Sequence, residues 1–329
     1  MIEGLLPESA SMASRRPLVL PELHRRNAWY GHSATLKRYA GRHPLSVVKL
    51  SIEHGVGMGS GVARGEFEEF LPLCLCASPA RARALQRAIG SRPEVLPIGP
   101  IILYAKPEFE LQPVNSRMLA FPPHAVRSRK ARYSVSKFIA MLTDYSRQFD
   151  HVVACFHHAD VLRGSHLPYA EAGIDCVTAG HGLSPRFLPR LRGFIERSDV
   201  VVTNDVGSHV FYALALGRPV WLKQQVTEHE TTSDYAGIHD AEFIRSLSEV
   251  LQPEVASPTH EQLACAIEFG GFDAHLDRSS LAAMLDDAEH RYRASASSGR
   301  RAARMTKLWA QWPWRWRQQL RVYARDSVA

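Results

Sequence analysis

Histidine and small polar residues gather in this chain where short apolar runs end. Glu53-His54-Gly55 follows Val47–Ile52, and Pro122-Pro123-His124, with Arg127 beyond, follows Met118–Phe121. His157-His158-Ala159-Asp160 follows Val152–Phe156, and Gly180-His181-Gly182-Leu183-Ser184-Pro185 follows Asp175–Thr178. Asn204-Asp205-Val206-Gly207-Ser208-His209 follows Val200–Thr203, and Glu228 lies beyond Pro219–Leu222. Sixteen histidines scattered by chance over 329 residues would fall more evenly.

A carboxylate beside an imidazole suits general-base work, because burial and neighbouring charges tune either group. Glu53 and His54 are therefore the catalytic candidates. The plainer alternative is a glycine turn whose glutamate makes a local ion pair. Gly207 and Ser208 open a helical run, where free N–H groups and the helix dipole favour a phosphate. Ser208 and His209 would add side-chain donors there, although Ser208 serves equally well as a plain helix cap. The glycines beside His181 let backbone and ring approach a ligand. Ser184 before Pro185 reads as a helix cap with proline in the first turn, or as one end of a tight turn. His124 and Arg127 head a basic stretch suited to an anionic acceptor or simply to solvent. Successive strand residues point to opposite faces, which argues against a metal shared by His157 and His158. Gly55, Gly57, Gly59 and Gly61 suggest a mobile loop over a site, and their spacing fails the dinucleotide fingerprint.

These segments have to be positioned by an alternation of short strands and helices. Further strands are expected at Leu71–Cys76 and Glu94–Ile98. Helices are expected at Ser33–Tyr39, Pro79–Ile89, Ser134–Phe149, Pro185–Glu196, Ser208–Leu216 and Asp240–Leu251. Apolar strands joined by helices predict parallel sheets covered on both faces, an α/β class. In such sheets ligands bind beyond the carboxyl ends of the strands. The length of 329 residues exceeds the size at which one core usually stops growing. The expected organisation is a loose leader over 1–16, one α/β domain over 17–133, a second over 134–294 and a tail over 295–329.

Charge sharpens this division. The net charge is +7, yet residues 300–329 alone hold eight basic residues and one acid, so the body is neutral. That argues against nucleic acid as the partner of the body. In the tail, Met305, Leu308, Trp309, Trp312, Trp316, Leu320 and Tyr323 recur at helical spacing with basic residues opposite, interrupted at Pro313. Such a helix suits an anionic membrane surface, reached through residues 300–329, or packs back on the first domain. The five cysteines contain no CxxC pair, as expected of reduced thiols in a cytoplasmic protein. The N-terminus lacks the pattern of a signal peptide. A cytoplasmic protein, peripheral on the inner face of the cell membrane, is therefore expected.

The order of these units resembles the GT-B glycosyltransferases. It is most similar to the sugar-transfer proteins of bacterial surface-polysaccharide assembly, of lipopolysaccharide or capsule. The likeness rests on Trp29-Tyr30-Gly31-His32, Ile52-Glu53-His54-Gly55, Ile98-Gly99-Pro100 and Phe121-Pro122-Pro123-His124. Its most specific part is the run from Thr203 through Asn204, Gly207, Ser208 and His209 to Gly217 and Val220. It covers about residues 28–225. The resemblance implies two Rossmann-like domains facing across a cleft, with a nucleotide-sugar donor on the second and a saccharide or lipid-linked acceptor on the first. It implies Glu53 or His54 as base, and His181, Gly182, Ser184, Asn204, Gly207, Ser208, His209 and Glu228 on the donor side. His32, His124 and Arg127 would face the acceptor, and neither a metal nor another cofactor is implied. Gly180-His181-Gly182 departs from the His-Pro of sialyltransferase-like members, which leaves the nucleotide open. A nucleotide-sugar epimerase, a polyol-phosphate transferase or a non-catalytic assembly protein on the same scaffold are the alternatives.

Overall fold

The computed structural model describes residues 4–14, 17–57, 59, 61–62, 65–108, 116–124, 129–223, 228–231, 241–295, 299–300 and 302–314. The chain begins with α1 (Pro7–Ser14), and the first unit opens with a 3-10 turn over Arg25–Gly31 and α2 (His32–Tyr39). It continues with β1 (Ser51–Ile52), β2 (Leu73–Cys76), α3 (Pro79–Ile89) and β3 (Glu94–Pro97). Next come β4 (Arg117–Phe121), β5 (Arg129–Arg132), α4 (Val135–Tyr145), β6 (His151–Cys155), α5 (His158–Leu162), α6 (Leu167–Glu171) and β7 (Asp175–Val177). The chain ends with α7 (Phe187–Glu196), β8 (Val200–Thr203), α8 (Ser208–Ala215), β9 (Val220–Leu222), β10 (Glu228–Thr231), α9 (Ala241–Leu251), α10 (His260–Cys265) and α11 (Arg278–Ser295).

Two parallel sheets result. The first has the order β1-β2-β3 and the second the order β7-β6-β4-β8-β9. A separate antiparallel pair joins β5 to β10. The α/β class and the two facing sheets agree with the expectation from sequence. In β4, Leu119 joins the core shared with the first unit, while Met118 and Ala120 join the cluster on the opposite face. Val153 and Val201 likewise face the shared core, and Val152, Ala154, Val200 and Val202 face away from it. This period of two buries both faces of the sheet, which is why its strands read as continuous apolar runs.

Two sequence expectations change. A boundary at 133 would place β4 in the first domain, but β4 is the central strand of the second sheet, between β6 and β8. An apolar run does not announce its neighbours; pairing with β6 and β8 does. The expected loose leader over 1–16 is instead docked through α1. Leu6 N–H donates to Cys176 O at 3.0 Å, and Ser9 Oγ accepts from Thr178 N at 3.1 Å. Ala10, Met12 and Ala13 are buried. A short polar-apolar mix reads as a leader because its burial depends on a surface built 169 residues later.

The tail packs back on the first unit as far as it is described. Trp312 Nε1 donates to Val19 O at 2.6 Å, Leu308 is buried, and the Arg304 guanidinium lies 4.1 Å from the Phe70 ring centroid. Trp309 and Trp314 stay exposed. Residues 315–329 lie outside the described residues. Among the described residues no helix is long and apolar enough to cross a membrane.

The docking of α1 has a measurable consequence. Removing residues 1–16 is expected to lower the Tm by roughly 3 °C, as lost packing and hydrogen bonds sum to about 2 kcal/mol. An unchanged melting curve for the truncated chain would show that α1 contributes nothing to the second unit.

Candidate functional site

The site grows from the turn over Arg25–Gly31. Asn27 Nδ2 donates to Leu50 O at 2.8 Å, and Asn27 Oδ1 accepts from Ile52 N at 2.9 Å, which fastens the turn to β1. Tyr30 then takes φ of 51° and Gly31 φ of 71°. A Cβ on Gly31 would lie 2.8 Å from Ser184 O and 3.0 Å from the Pro185 backbone, so the turn lies directly on the Gly180–Pro185 segment. Tyr30 N–H donates to Gly182 O across the same junction.

Tyr30 becomes the hub of a histidine cluster. Its ring stacks on His54 at 4.9 Å, and its hydroxyl lies 3.3 Å from His157 Nε2. Trp29 meets His54 edge-on at 5.0 Å, and His32 lies 6.1 Å from His54. His124, exposed at its loop, is 5.3 Å from His157. His158 turns the other way, donating from Nε2 to Ala13 O at 2.8 Å and lying 5.0 Å from His181. His209 packs on Phe121 at 4.8 Å, and its Nε2 meets Thr203 Oγ1 at 2.9 Å. The groups that follow β1, β4, β6, β7 and β8 thus meet where the two sheets point their carboxyl ends, as parallel sheets require.

Burial sets the charge state of this cluster. It brings His32 down to about 4, and it brings His181 down to about 3 with His158 adding to the effect. His209 is brought to about 4 by burial, with Asp205 opposing. His54 and His157 are held well below the usual imidazole range, first by burial and then by neighbouring cations and histidines. The rings are therefore neutral at pH 7 and offer proton-accepting nitrogens. Both ring nitrogens of His32, Nδ1 of His54 and both amide atoms of Asn204 are buried without a hydrogen-bond partner among the described residues. Each such group costs about 1–3 kcal/mol, so a polar ligand that satisfies them is favoured.

The same shifts predict acid sensitivity. A histidine with a lowered folded pKa supports the fold above its unfolded value near 6.5, and this support is lost as pH falls toward the folded value. His32, at 1% exposure, alone is expected to withdraw about 1–2 kcal/mol of stability between pH 7 and pH 5. Urea unfolding at the two pH values measures this. Equal stability at both, or no difference between His32→Phe and wild type, would contradict the burial argument.

Glu53 departs from its expected role beside His54. Its Oε1 accepts from Arg81 Nε at 2.6 Å, and Arg81 belongs to the first turn of α3. Burial pushes its carboxyl up to about 7 although Arg81 opposes the shift. Burial, with Glu53 adding to it, pushes up the thiols of Cys74 and Cys76 on the α3 side of the sheet, whereas His54 faces Tyr30. Neighbours at a strand end diverge, so the pair is split. Glu66, unmarked in the sequence, accepts the His54 N–H at 2.7 Å and pairs with Arg26.

On the donor side, Val56 N–H donates to Ser208 Oγ at 2.9 Å, and a Cβ on Gly55 would lie 2.5 Å from that oxygen. The glycine loop of the first unit thus rests on the start of α8. Ser184 Oγ accepts from Arg186 N at 3.3 Å, a turn-type role. Glu228 stands opposite Arg132 in the β5–β10 pair, and Arg127 lies outside the described residues. Among the described residues no group of three or more His, Cys, Asp or Glu could hold a metal ion. The sequence offers His157 only as half of a histidine pair at a strand end and Tyr30 only as a member of the Trp29–His32 motif, and marks neither as the hub.

No protein family and no curated protein matches the sequence. Solved structures with a similar fold include a UDP-N-acetylglucosamine 2-epimerase, 14% identical with a TM-score of 0.34, over 68% of this chain and 58% of that one. The UDP-GlcNAc 2-epimerase from Methanocaldococcus jannaschii is 10% identical with a TM-score of 0.35, over 67% and 62%. The pneumococcal O-GlcNAc transferase GtfA, solved in complex with UDP and GlcNAc, is 9% identical with a TM-score of 0.33, over 67% and 46%. The chain spans less than two thirds of the length of each of these structures.

Proposed function

We propose that the chain is a GT-B-type glycosyltransferase whose nucleotide-sugar donor binds between the two sheets. The observation that supports this most directly is the convergence of neutral imidazoles and the α8 N-terminus at the carboxyl ends of both sheets. The donor diphosphate takes the N–H groups of the first turn of α8, the Ser208 hydroxyl and the Asn204 amide. The Ser208 hydroxyl can donate to the phosphate while it accepts from Val56 N–H. His54 accepts the proton of the acceptor hydroxyl as the new glycosidic bond forms and the bond from sugar to phosphate breaks. The departing diphosphate is stabilised by preorganised donors, the helix N–H groups with His209 and His181. Glu53 holds the loop through Arg81. The acceptor enters beside His32 and His124. An envelope saccharide or lipid-linked acceptor suits the exposed Trp309 and Trp314 and the cationic tail, which would rest on an anionic membrane.

A thermal-shift comparison of UDP-, GDP-, CMP- and dTDP-sugars tests this reading. One nucleotide is expected to raise the melting temperature, since a ligand at 100 times its Kd adds about 2.7 kcal/mol. No shift with any of them, or the same shift in Ser208→Ala with Asn204→Leu, would remove the donor site from this place.

A further inference from the structure

A polar cavity lies at the opposite end of the first sheet, away from the histidine cluster. It measures about 420 Å³, in the range of small-molecule sites. It opens between the segment before β1 and one face of α11, with Arg42, Lys49, His290 and Arg293 supplying its basic groups. Its two carboxylates are already engaged: Asp286 pairs with Arg42 at 2.6 Å and Glu289 with Arg293 at 3.1 Å.

Lys49 is the unusual member. It is only 9% exposed, and its Nζ meets Met305 Sδ at 3.5 Å and the face of Tyr292 at 5.6 Å. Among the described residues no carboxylate pairs with it. A thioether and an aromatic face leave most of the hydrogen-bonding capacity of an ammonium unused, and a buried cation without oxygen acceptors is costly. Burial accordingly pushes its ammonium down, with Glu289 and Glu22 opposing from a distance. An oxygen-rich anion would satisfy Lys49 and reach Arg293 and His290 on the neighbouring turns of α11.

We propose that this cavity binds a phosphomonoester, with Lys49 as its buried anchor and Arg293 as its outer clamp. The site is remote from the cleft and stands whether or not the proposed transfer reaction is correct. Two sources share this chemistry, a soluble sugar or polyol phosphate and the headgroup of an anionic lipid. The second deserves its own arm because the helix over 302–314, which supplies Met305, also carries the exposed Trp309 and Trp314.

The test uses the full chain and Lys49→Met, whose apolar side chain suits the space beside Tyr292 and Met305. Arg293→Gln, at the exposed rim, is the second variant and guards against misfolding of the first. Glycerol 3-phosphate is titrated by calorimetry, and flotation is measured with phosphatidylcholine vesicles with and without phosphatidic acid. Saturable glycerol 3-phosphate binding that weakens about tenfold or more in both variants supports a soluble ligand. Phosphatidic-acid-dependent flotation that weakens in both variants, without soluble binding, supports the headgroup. No binding by wild type in either arm, or binding that neither variant alters, would overturn the proposal.

Discussion

His54→Ala is expected to lower the turnover of sugar transfer about 10²- to 10⁴-fold, the range for loss of a positioned general base. His54 sits at the carboxyl end of β1, stacked on Tyr30 and flanked by Trp29 and His32, with an Nδ1 that no described group engages. Its environment keeps it unprotonated, so it is always in the accepting form. His54→Gln, which retains a hydrogen-bonding side chain without a titratable ring, should be impaired comparably. Glu53→Gln is expected to stay within about tenfold of wild type, because that carboxylate faces Arg81 and acts through the loop. Steady-state kinetics on the three variants, with donor-induced thermal shift as the folding control, decides between them. A silent His54→Ala beside an inactive Glu53→Gln would restore the carboxylate as base and remove the imidazole.

Gly31→Ala is expected to be strongly damaging to stability. An alanine at φ of 71° pays about 1–2 kcal/mol for the left-handed conformation alone. Its Cβ would also lie 2.8 Å from Ser184 O and 3.0 Å from the Pro185 Cα, both backbone atoms that cannot rotate aside. Together these effects should cost about 2–4 kcal/mol. The shift would lower the Tm by roughly 3–6 °C, and the loss falls on the junction that brings Tyr30 to His157. Thermal denaturation checks the stability, and near-ultraviolet circular dichroism checks the packing of Trp29 and Tyr30. A Tm within about 1 °C of wild type would mean that the turn does not rest on Ser184–Pro185 as described.

The sequence carried much of this and withheld the rest for identifiable reasons. Strands such as Val200–Thr203 and helices such as α3 were legible because their signals are local: apolar continuity, and Ser78 before Pro79, with Ser78 Oγ accepting from Arg81 N. The recurrence of histidine at strand ends was legible because parallel sheets put ligand groups there. What was not legible depends on distant pairing. Met118–Phe121 looks the same whether it edges the first sheet or centres the second. The docking of α1 requires Cys176 and Thr178, and the split of Glu53 from His54 requires Arg81 on the following helix. Tyr30 escaped notice because its position rests on a positive φ that residue type does not reveal. The tail showed its amphipathic pattern plainly, yet the same apolar stripe serves a membrane or Val19 and Phe70 equally well.

The most direct test of the central claim is product analysis with the nucleotide-sugar that stabilises the protein, incubated with and without a saccharide acceptor. Free nucleotide and a glycosylated product are expected only when acceptor is present, and both are lost in His54→Ala. Conversion of the donor sugar to its epimer without any acceptor, or transfer that survives His54→Ala at the wild-type rate, would contradict it.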